Sequence, residues 1–414
     1  MTYTQIFDDI IKIMKEDSAT CKDFGAGPYE EYQSKITDDM DRMEFMHLVQ
    51  EYLATFKVEG HLNFSDGNLG SIGFSVMRKG DELYVIEAKP DTKLSAGDRI
   101  THIDGQPIPE IATKESRFFM GESEERQGKT WPAVLKFYNT LSVLHKDGTK
   151  EDIAIIHGSK GEEEERYFFK EYDDNTLYIR LADFVDLNAI GQVYADCKDA
   201  LDKCKKLILD VRGNGGGADS GFEPLLEYCF PEGKLVTDYY KMEYPIEINY
   251  STRNCTDRIE LLKNFFGDNV PEDMAPMLER MIADNKENMG KGFIESTEEF
   301  AVGIKGRALP EKVFVITDEK CASSGDAFAE VMSYSPKVTL VGRPSMGITD
   351  YSNCTMVHFD DFTLLYPTSR DTRIDCGKEL SQKGVPVDKY IPWSPENIGK
   401  DPELDYCLKK TTEA

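Results

Sequence analysis

Read from its amino terminus, the chain passes through three textures of apolar and polar positions. Residues 38–56, DDMDRMEFMHLVQEYLATF, set Met43, Met46, Leu48, Leu53 and Phe56 near helical spacing and stop before Gly60, which predicts a helical cap over the first sixty residues. From about Gly70 the period shortens. SIGFSVMRKGDELYVIEAKP and KLSAGDRITHIDGQPI read as short alternating strands turned at Gly80-Asp81 and Asp104-Gly105, and LSVLHKDGTKEDIAIIH turns at Asp147-Gly148 before ending at His157. The run GSKGEEEER that follows has no apolar side chain and reads as a linker. Beyond it strands and helices alternate: TLYIRLADF, KLILDVR, KVFVITDE, VTLVGR and FTLLYPT as strands, DLNAIGQVYADCKDALDKC and SGDAFAEVMSYS as helices. That alternation predicts an α/β fold with a largely parallel sheet. Residues 237–300 interrupt it as a less periodic insertion rich in acids, Met and Asn. Three domains are therefore expected: 1–60 a helical cap, 61–158 a β-rich domain with an adjoining His-bearing segment, and 165–414 an α/β core.

A length of 414 residues agrees with more than one hydrophobic core. The net charge of −27 opposes nucleic-acid binding, because a phosphate backbone would be repelled. No apolar run is long enough to span a membrane, and the acidic opening MTYTQIFDDIIKIMKED does not read as a signal peptide. Nine scattered cysteines without a CxxC pair fit reduced thiols, so a cytoplasmic setting is expected, or an extracytoplasmic one if a leader has been removed. With six histidines and no HExxH, neither a metal nor another cofactor is expected.

Three distant segments carry residues able to do chemistry. In LILDVRGNGGG (207–217) an apolar strand ends in glycines, leaving main-chain N–H groups that can bind a phosphate or an oxyanion. A purely structural turn fits the same residues. The spacing matches neither GxGxxG nor GxxxxGK[ST], which disfavours a nucleotide. In CASSGDAFA (321–329) a strand runs through small residues into a helix, where the dipole and free amides favour a nucleophile; a plain serine N-cap fits too. Cys321 is a rival nucleophile by chemistry and is expected to be a buried structural thiol. In VEGHLNF (58–64), His61 follows a glycine at a junction, whereas His47, His102, His145, His157 and His358 lie in or beside regular elements.

Together these segments resemble the tail-specific (C-terminal processing) serine peptidases, in particular their tricorn-core-like branch. LILDVRGNGGG resembles the oxyanion segment, CASSGDAFAE the nucleophile segment, EGHLNF the Gly-His pair, VGRPSMG the strand after the nucleophile helix, and KGVPVD the closing motif, all in family order across residues 58–410. SIGFSV with AGDRITHIDGQPI resembles a PDZ domain. The resemblance implies a crotonase/ClpP-like α/β core with a helical N-terminal cap and a PDZ-like domain. It implies Ser323 as nucleophile and an oxyanion hole from the N–H of Ser324 with that of Gly216 or Gly217. A substrate tail would dock by strand addition near Ile72, Gly73 and Phe74.

Two departures matter. Ile348 stands where many members place a lysine base, so a Ser–Lys dyad is excluded and His61 is the expected base. Ser381 stands where the tricorn-like branch has a glutamate, leaving Glu379, Asp350 or Asp388 to orient the imidazole. The expected substrate is a peptide or unfolded protein, and a homo-oligomer is compatible with this reading. The competing expectation, motivated by the same departures, is a catalytically inactive peptidase-fold protein that binds peptides or small hydrophobic ligands. A PDZ-mediated scaffold leaves the order of Gly216, Ser323 and His61 unexplained.

Overall fold

The computed structural model describes residues 1–119, 123–159, 165–173, 175–266, 275–297 and 300–409. Residues 160–164 of the expected linker, and 267–274, 298 and 299 of the expected insertion, lie outside them. The chain divides into two compact units: Met1–Asn68 with Glu243–Glu298 and Asp350–Glu379, and Leu69–Met242 with Glu299–Thr349 and Leu380–Ala414.

In the second unit, a β-rich part holds strands in the order Phe74–Lys79, Glu82–Ala88, Arg99–Ile103, Thr140–Leu144 and Lys150–Ala154, all paired antiparallel. Gly80, Asp104, Gly105 and Gly148 turn its hairpins with positive φ, as their sequence signals predict. The helices Ile108–Lys114 and Thr130–Leu135 complete a core around Val76, Val85, Ile100 and Trp131.

The α/β part is a six-stranded sheet in the order Lys389–Tyr390, Val338–Gly342, Lys312–Thr317, Lys206–Asp210, Thr176–Leu181 and Tyr167–Asp173. The first five run parallel and the last antiparallel. Lys206–Asp210 is buried at every residue. On one face Leu207 and Leu209 share a core with Ile190, Leu225 and Phe328 from three helices; on the other Ile208 meets Phe314, Ile316 and Cys407 of the helix Pro402–Lys409. Covering both faces is what turns a strand into a continuous apolar run.

In the first unit, the helix Tyr3–Glu16 begins in a reciprocal cap: Gln5 N–H donates to Thr2 Oγ1 at 3.3 Å, and Thr2 N–H to Gln5 Oε1 at 3.1 Å. The helix Arg42–Ala54 forms where expected. Met46, Leu53 and Phe56 are buried as their spacing predicts, joined by Phe45, Val49 and Tyr52, whereas Met43 and Leu48 are only partly covered; the aromatic rings have more area to bury. An antiparallel sheet runs in the order Asn63–Asp66, Phe362–Asp371, Ile246–Tyr250 and Gly292–Glu295, with Tyr351–Phe359 on the other edge of Phe362–Asp371.

Two expectations change here. The strand FTLLYPT and the one carrying His358 form a hairpin of this sheet rather than extending the parallel one, and the alternating burial of Tyr351–Phe359 suits a sheet solvated on one face. The described residues of the 237–300 stretch are also folded: they supply two of these strands and the helices Thr252–Phe266 and Ala275–Asn288.

Arg370 joins the sheet to the N-terminal segment. It is fully buried; Nε and Nη2 each donate to Asp23 at 2.9 Å, Nη1 to Glu247 at 2.8 Å and Nη2 to Asp375 at 2.7 Å. Removing one member of such a group leaves the rest uncompensated. Arg370→Ala is therefore expected to lower unfolding free energy by about 3–5 kcal/mol in urea melts, and a loss below about 1 kcal/mol would mean the network behaves like surface pairs.

Candidate active site

The glycine turn and the candidate nucleophile leave neighbouring strands at the same end. Lys206–Asp210 and Lys312–Thr317 pair in parallel with Asp210 beside Ile316, so the segments following them emerge together at the carboxyl edge. Asn214, fully buried, stitches them with every polar atom it has. Its N–H donates to Val211 O at 3.1 Å, and its carbonyl accepts Ala322 N–H at 2.8 Å. Its Nδ2 donates to Leu181 O at 3.0 Å, while Oδ1 accepts Gly216 N–H at 2.9 Å.

Gly216 is thereby pressed against the serine segment. A Cβ there would lie 2.5 Å from Ser323 Cβ and 2.9 Å from Ala322 O, and its φ is +93°. Only glycine meets both demands. At Gly217, with φ +143°, a Cβ would run into the Phe184 carbonyl.

Ser323 sits half-buried at the N-cap of the helix Ser324–Ser333, with φ +58° and ψ −122°. An ordinary N-cap is extended, and a non-glycine residue held in a sparsely populated conformation costs about 1–3 kcal/mol. The turn is fixed on both sides: Ser323 N–H donates to Asp326 Oδ2 at 2.8 Å, and the Ala322 N–H is held by Asn214. A sharp strand-to-helix turn of this kind presents its side chain outward. Ser324 is buried and its hydroxyl donates to Gly217 O at 2.8 Å, which leaves Ser323 the better-placed alcohol. The N–H groups of Ser324 and Gly217 donate to no group among the described residues, whereas that of Gly216 is taken by Asn214. Of the two glycines the sequence left open, Gly217 has the available donor. Cys321 is fully buried, and burial pushes its thiol well above the ordinary range; a protonated thiol is a poor nucleophile.

The turn at 345–348 lies along this segment. Met346 N–H donates to Cys321 O at 2.6 Å, and the Gly347 and Ile348 N–H groups donate to Asp326 at 2.7 and 3.0 Å. From the β-rich part, Arg126 Nη2 donates to the carbonyls of Ser345 and Met346 at 3.0 and 2.8 Å. The Ile348 side chain packs with Ala322 and Met346. Asn214 and Asp326 sat inside the sequence motifs without an assigned role, marked only as an amide in a glycine run and an acid in a first helical turn. No pattern marked Arg126.

In the first unit, Gly60 turns the chain with φ +71° and His61 is buried. Its Nδ1 lies 2.5 Å from Tyr351 O. A carbonyl only accepts, so in the neutral ring Nδ1 carries the proton and Nε2 is the basic nitrogen. Tyr351 is anchored in turn: its hydroxyl donates at 2.8 Å to Asp23, the carboxylate that Arg370 holds. Asp350, buried, and Glu379 belong to this unit. Asp388 belongs to the second, where its Oδ2 accepts Leu340 N–H at 2.8 Å. Ile72 and Phe74 are buried in the β-rich core, and Gly73 packs against Ser159, whose N–H donates to Ser71 O at 3.1 Å. Among the described residues, no group of three or more His, Cys, Asp or Glu is placed to hold a metal, and no helix is long and apolar enough to cross a membrane.

The model of peptidase family S41 matches residues 175–391, which include the glycine turn, Ser323 and the 345–348 turn. Two structures of mature CPAF, one complexed with lactacystin, superpose with TM-scores of 0.64 at 10% and 11% identity, over 99% of this chain and 96% and 97% of theirs. The photosystem II D1 C-terminal processing protease gives a TM-score of 0.49 at 14% identity, over 99% of this chain and 97% of that one. At such identities the CPAF likeness is one of fold. No protein with a curated description matches in sequence.

Because Gly216 tolerates no side chain, a Cβ there would push on the Ser323 segment, and Gly216→Ala is expected to slow labelling by a serine-directed fluorophosphonate by roughly two orders of magnitude, the scale on which a small misplacement of reacting groups costs rate. Wild-type labelling by a variant with unchanged circular dichroism would show that the contact does not shape the site.

Proposed function

The chain belongs to peptidase family S41, a family of serine-type hydrolases, and on that premise we propose that it is a serine endopeptidase with Ser323 as nucleophile and His61 as general base. The observation that carries the reading is the Ser323 turn: an alcohol in a left-handed conformation at a helix N-terminus, against Gly216, beside two uncommitted amides. In the proposed reaction Ser323 Oγ attacks the scissile carbonyl and its proton passes to His61 Nε2. The N–H groups of Ser324 and Gly217 receive the oxyanion. Collapse breaks the C–N bond, and the departing amine takes the proton from His61. Water, deprotonated by the same imidazole, then releases the acyl group and restores Ser323.

The pairing of His61 with Ser323 is supported by motif order and by the His61 tautomer, which leaves Nε2 as the acceptor. The main-chain carbonyl of Tyr351 takes the orienting place usually given to an acid. Ile348 offers no base, which supports histidine over lysine.

The test is labelling by a fluorophosphonate together with cleavage of a denatured protein. Ser323→Ala is expected to abolish both, and Ser324→Ala to retain labelling. His61→Ala is expected to lower kcat by roughly 10³-fold or more. Labelling that survives in Ser323→Ala removes the assignment.

Selection of substrates by their C-terminal tail is the finer part of the proposal. A carboxylate arriving at Ile72, Gly73 and Phe74 would have to displace Ser159, which packs on Gly73. Peptides with free and amidated C-termini are expected to differ in kcat/KM by about tenfold or more, the worth of one charge-assisted hydrogen bond. Equal values would remove tail selection and leave the nucleophile untouched.

A further inference from the structure

Three main-chain donors converge on one carboxylate beneath the Ser323 turn. Asp326 is fully buried. Its Oδ2 accepts Ser323 N–H at 2.8 Å and Ile348 N–H at 3.0 Å, and its Oδ1 accepts Gly347 N–H at 2.7 Å. Helix capping explains only the first, an acid at the third helical position reaching back to the N-cap amide. The other two come from the 345–348 turn, which takes no part in the cap.

Nor is a charge favoured in that place. Among the described residues no Lys, Arg or His forms an ion pair with Asp326, and burial pushes its carboxyl above the ordinary range while its hydrogen bonds pull the other way. Asparagine or serine would cap the helix without that penalty. Only a carboxylate, with acceptor sites on two oxygens, receives all three bonds at once. The bonds fix two things together: the main chain of Ser323, held in a conformation that a serine avoids, and the turn that carries Ile348.

Resting on the reading of Ser323 as nucleophile, we infer that Asp326 is a positioning residue for acyl transfer, locking the Ser323 backbone to the 345–348 turn so that Ser323 Oγ and the Ser324 N–H stay aimed at one point. It touches no reacting atom and acts through main chain. Loss of the lock misdirects the alcohol and the oxyanion donor together, which slows the chemical step and leaves substrate binding in place.

Asp326→Asn keeps the side-chain volume and removes the charge with half of the acceptors. The full-length variant is expected to lose about tenfold or more in kcat with KM within about twofold, and its rate of fluorophosphonate labelling should fall in parallel, as a small misplacement of reacting groups requires. A folded Asp326→Asn that labels within about threefold of the wild-type rate overturns the inference. If Asp326→Asn does not fold, Asp326→Ser decides. It can still cap the helix but is too short to hold the Gly347 and Ile348 amides, so slower labelling at an unchanged Tm supports the lock and an unchanged rate overturns it. Ser323→Ala separates the two levels: persistent labelling there sinks the nucleophile, whereas its loss beside wild-type labelling in Asp326→Asn sinks the lock alone.

Discussion

The constraint on which the candidate site depends is the closeness of two loops leaving adjacent parallel strands, and Asn214 enforces it. Strand pairing brings Asp210 beside Ile316, but pairing ends there, and two irregular segments would otherwise diverge with their amides unsatisfied. One buried side chain prevents this by accepting from Gly216 and donating to Leu181, while its own main-chain oxygen accepts from Ala322. The result is a main-chain junction too tight for a Cβ at 216. Committing the Gly216 N–H to this junction also decides which glycine amide is left to face a ligand.

Below the junction the same strand ends are tied by charge. Burial raises the Asp210 carboxyl, yet Arg212 and Arg180 outweigh it and hold that group below the ordinary carboxylate range. Arg212 also reaches Asp401 at 2.8 Å, and Arg343 reaches Glu319 at 2.6 Å and Glu403 at 2.9 Å. The segment leading into the helix Pro402–Lys409 is thus bound to the ends of the two strands that carry the glycine turn and the serine. Hydrogen bonds to main-chain groups shape the site itself, and ion pairs clamp the scaffold behind it. That division fits the energetics: ion pairs hold firmly but bring strong local fields, whereas main-chain donors can remain uncommitted next to a reacting atom.

Sequence made legible what depends on short-range pattern. Lys206–Asp210 and Lys312–Thr317 read as strands from their continuous apolar runs, which follow from both faces being covered, and the helix after Ser323 reads as a helix because its apolar spacing is regular. The strand FTLLYPT reads as part of the alternating α/β core yet pairs antiparallel with Tyr351–Phe359, because alternation identifies a strand and not its neighbour. The 237–300 stretch looked irregular because its strands are four and five residues long and pair with residues distant in sequence. Within the site, the glycines and Ser323 were visible through their motifs. The bonds of Asn214, Asp326 and Arg126 were not, because each runs to a main-chain atom, and a main-chain partner leaves no residue type to read.

Ile348 shows how far that last point reaches. A side chain at this position could carry a base, yet here it packs with Ala322 and Met346, while its N–H donates to Asp326. The turn therefore holds the Ser323 segment through groups that every residue but proline possesses. Any side chain able to pack there preserves the hold, so replacing a base by an apolar residue costs the turn nothing in geometry. On the proposed reading, the need for a proton acceptor passes to another segment, where His61 has Nδ1 committed to Tyr351. Whatever base serves it, the turn beneath Ser323 stays intact: the costly backbone conformation at 323 is kept over the buried Asp326 carboxylate, which bonds Ser323, Gly347 and Ile348 through main chain.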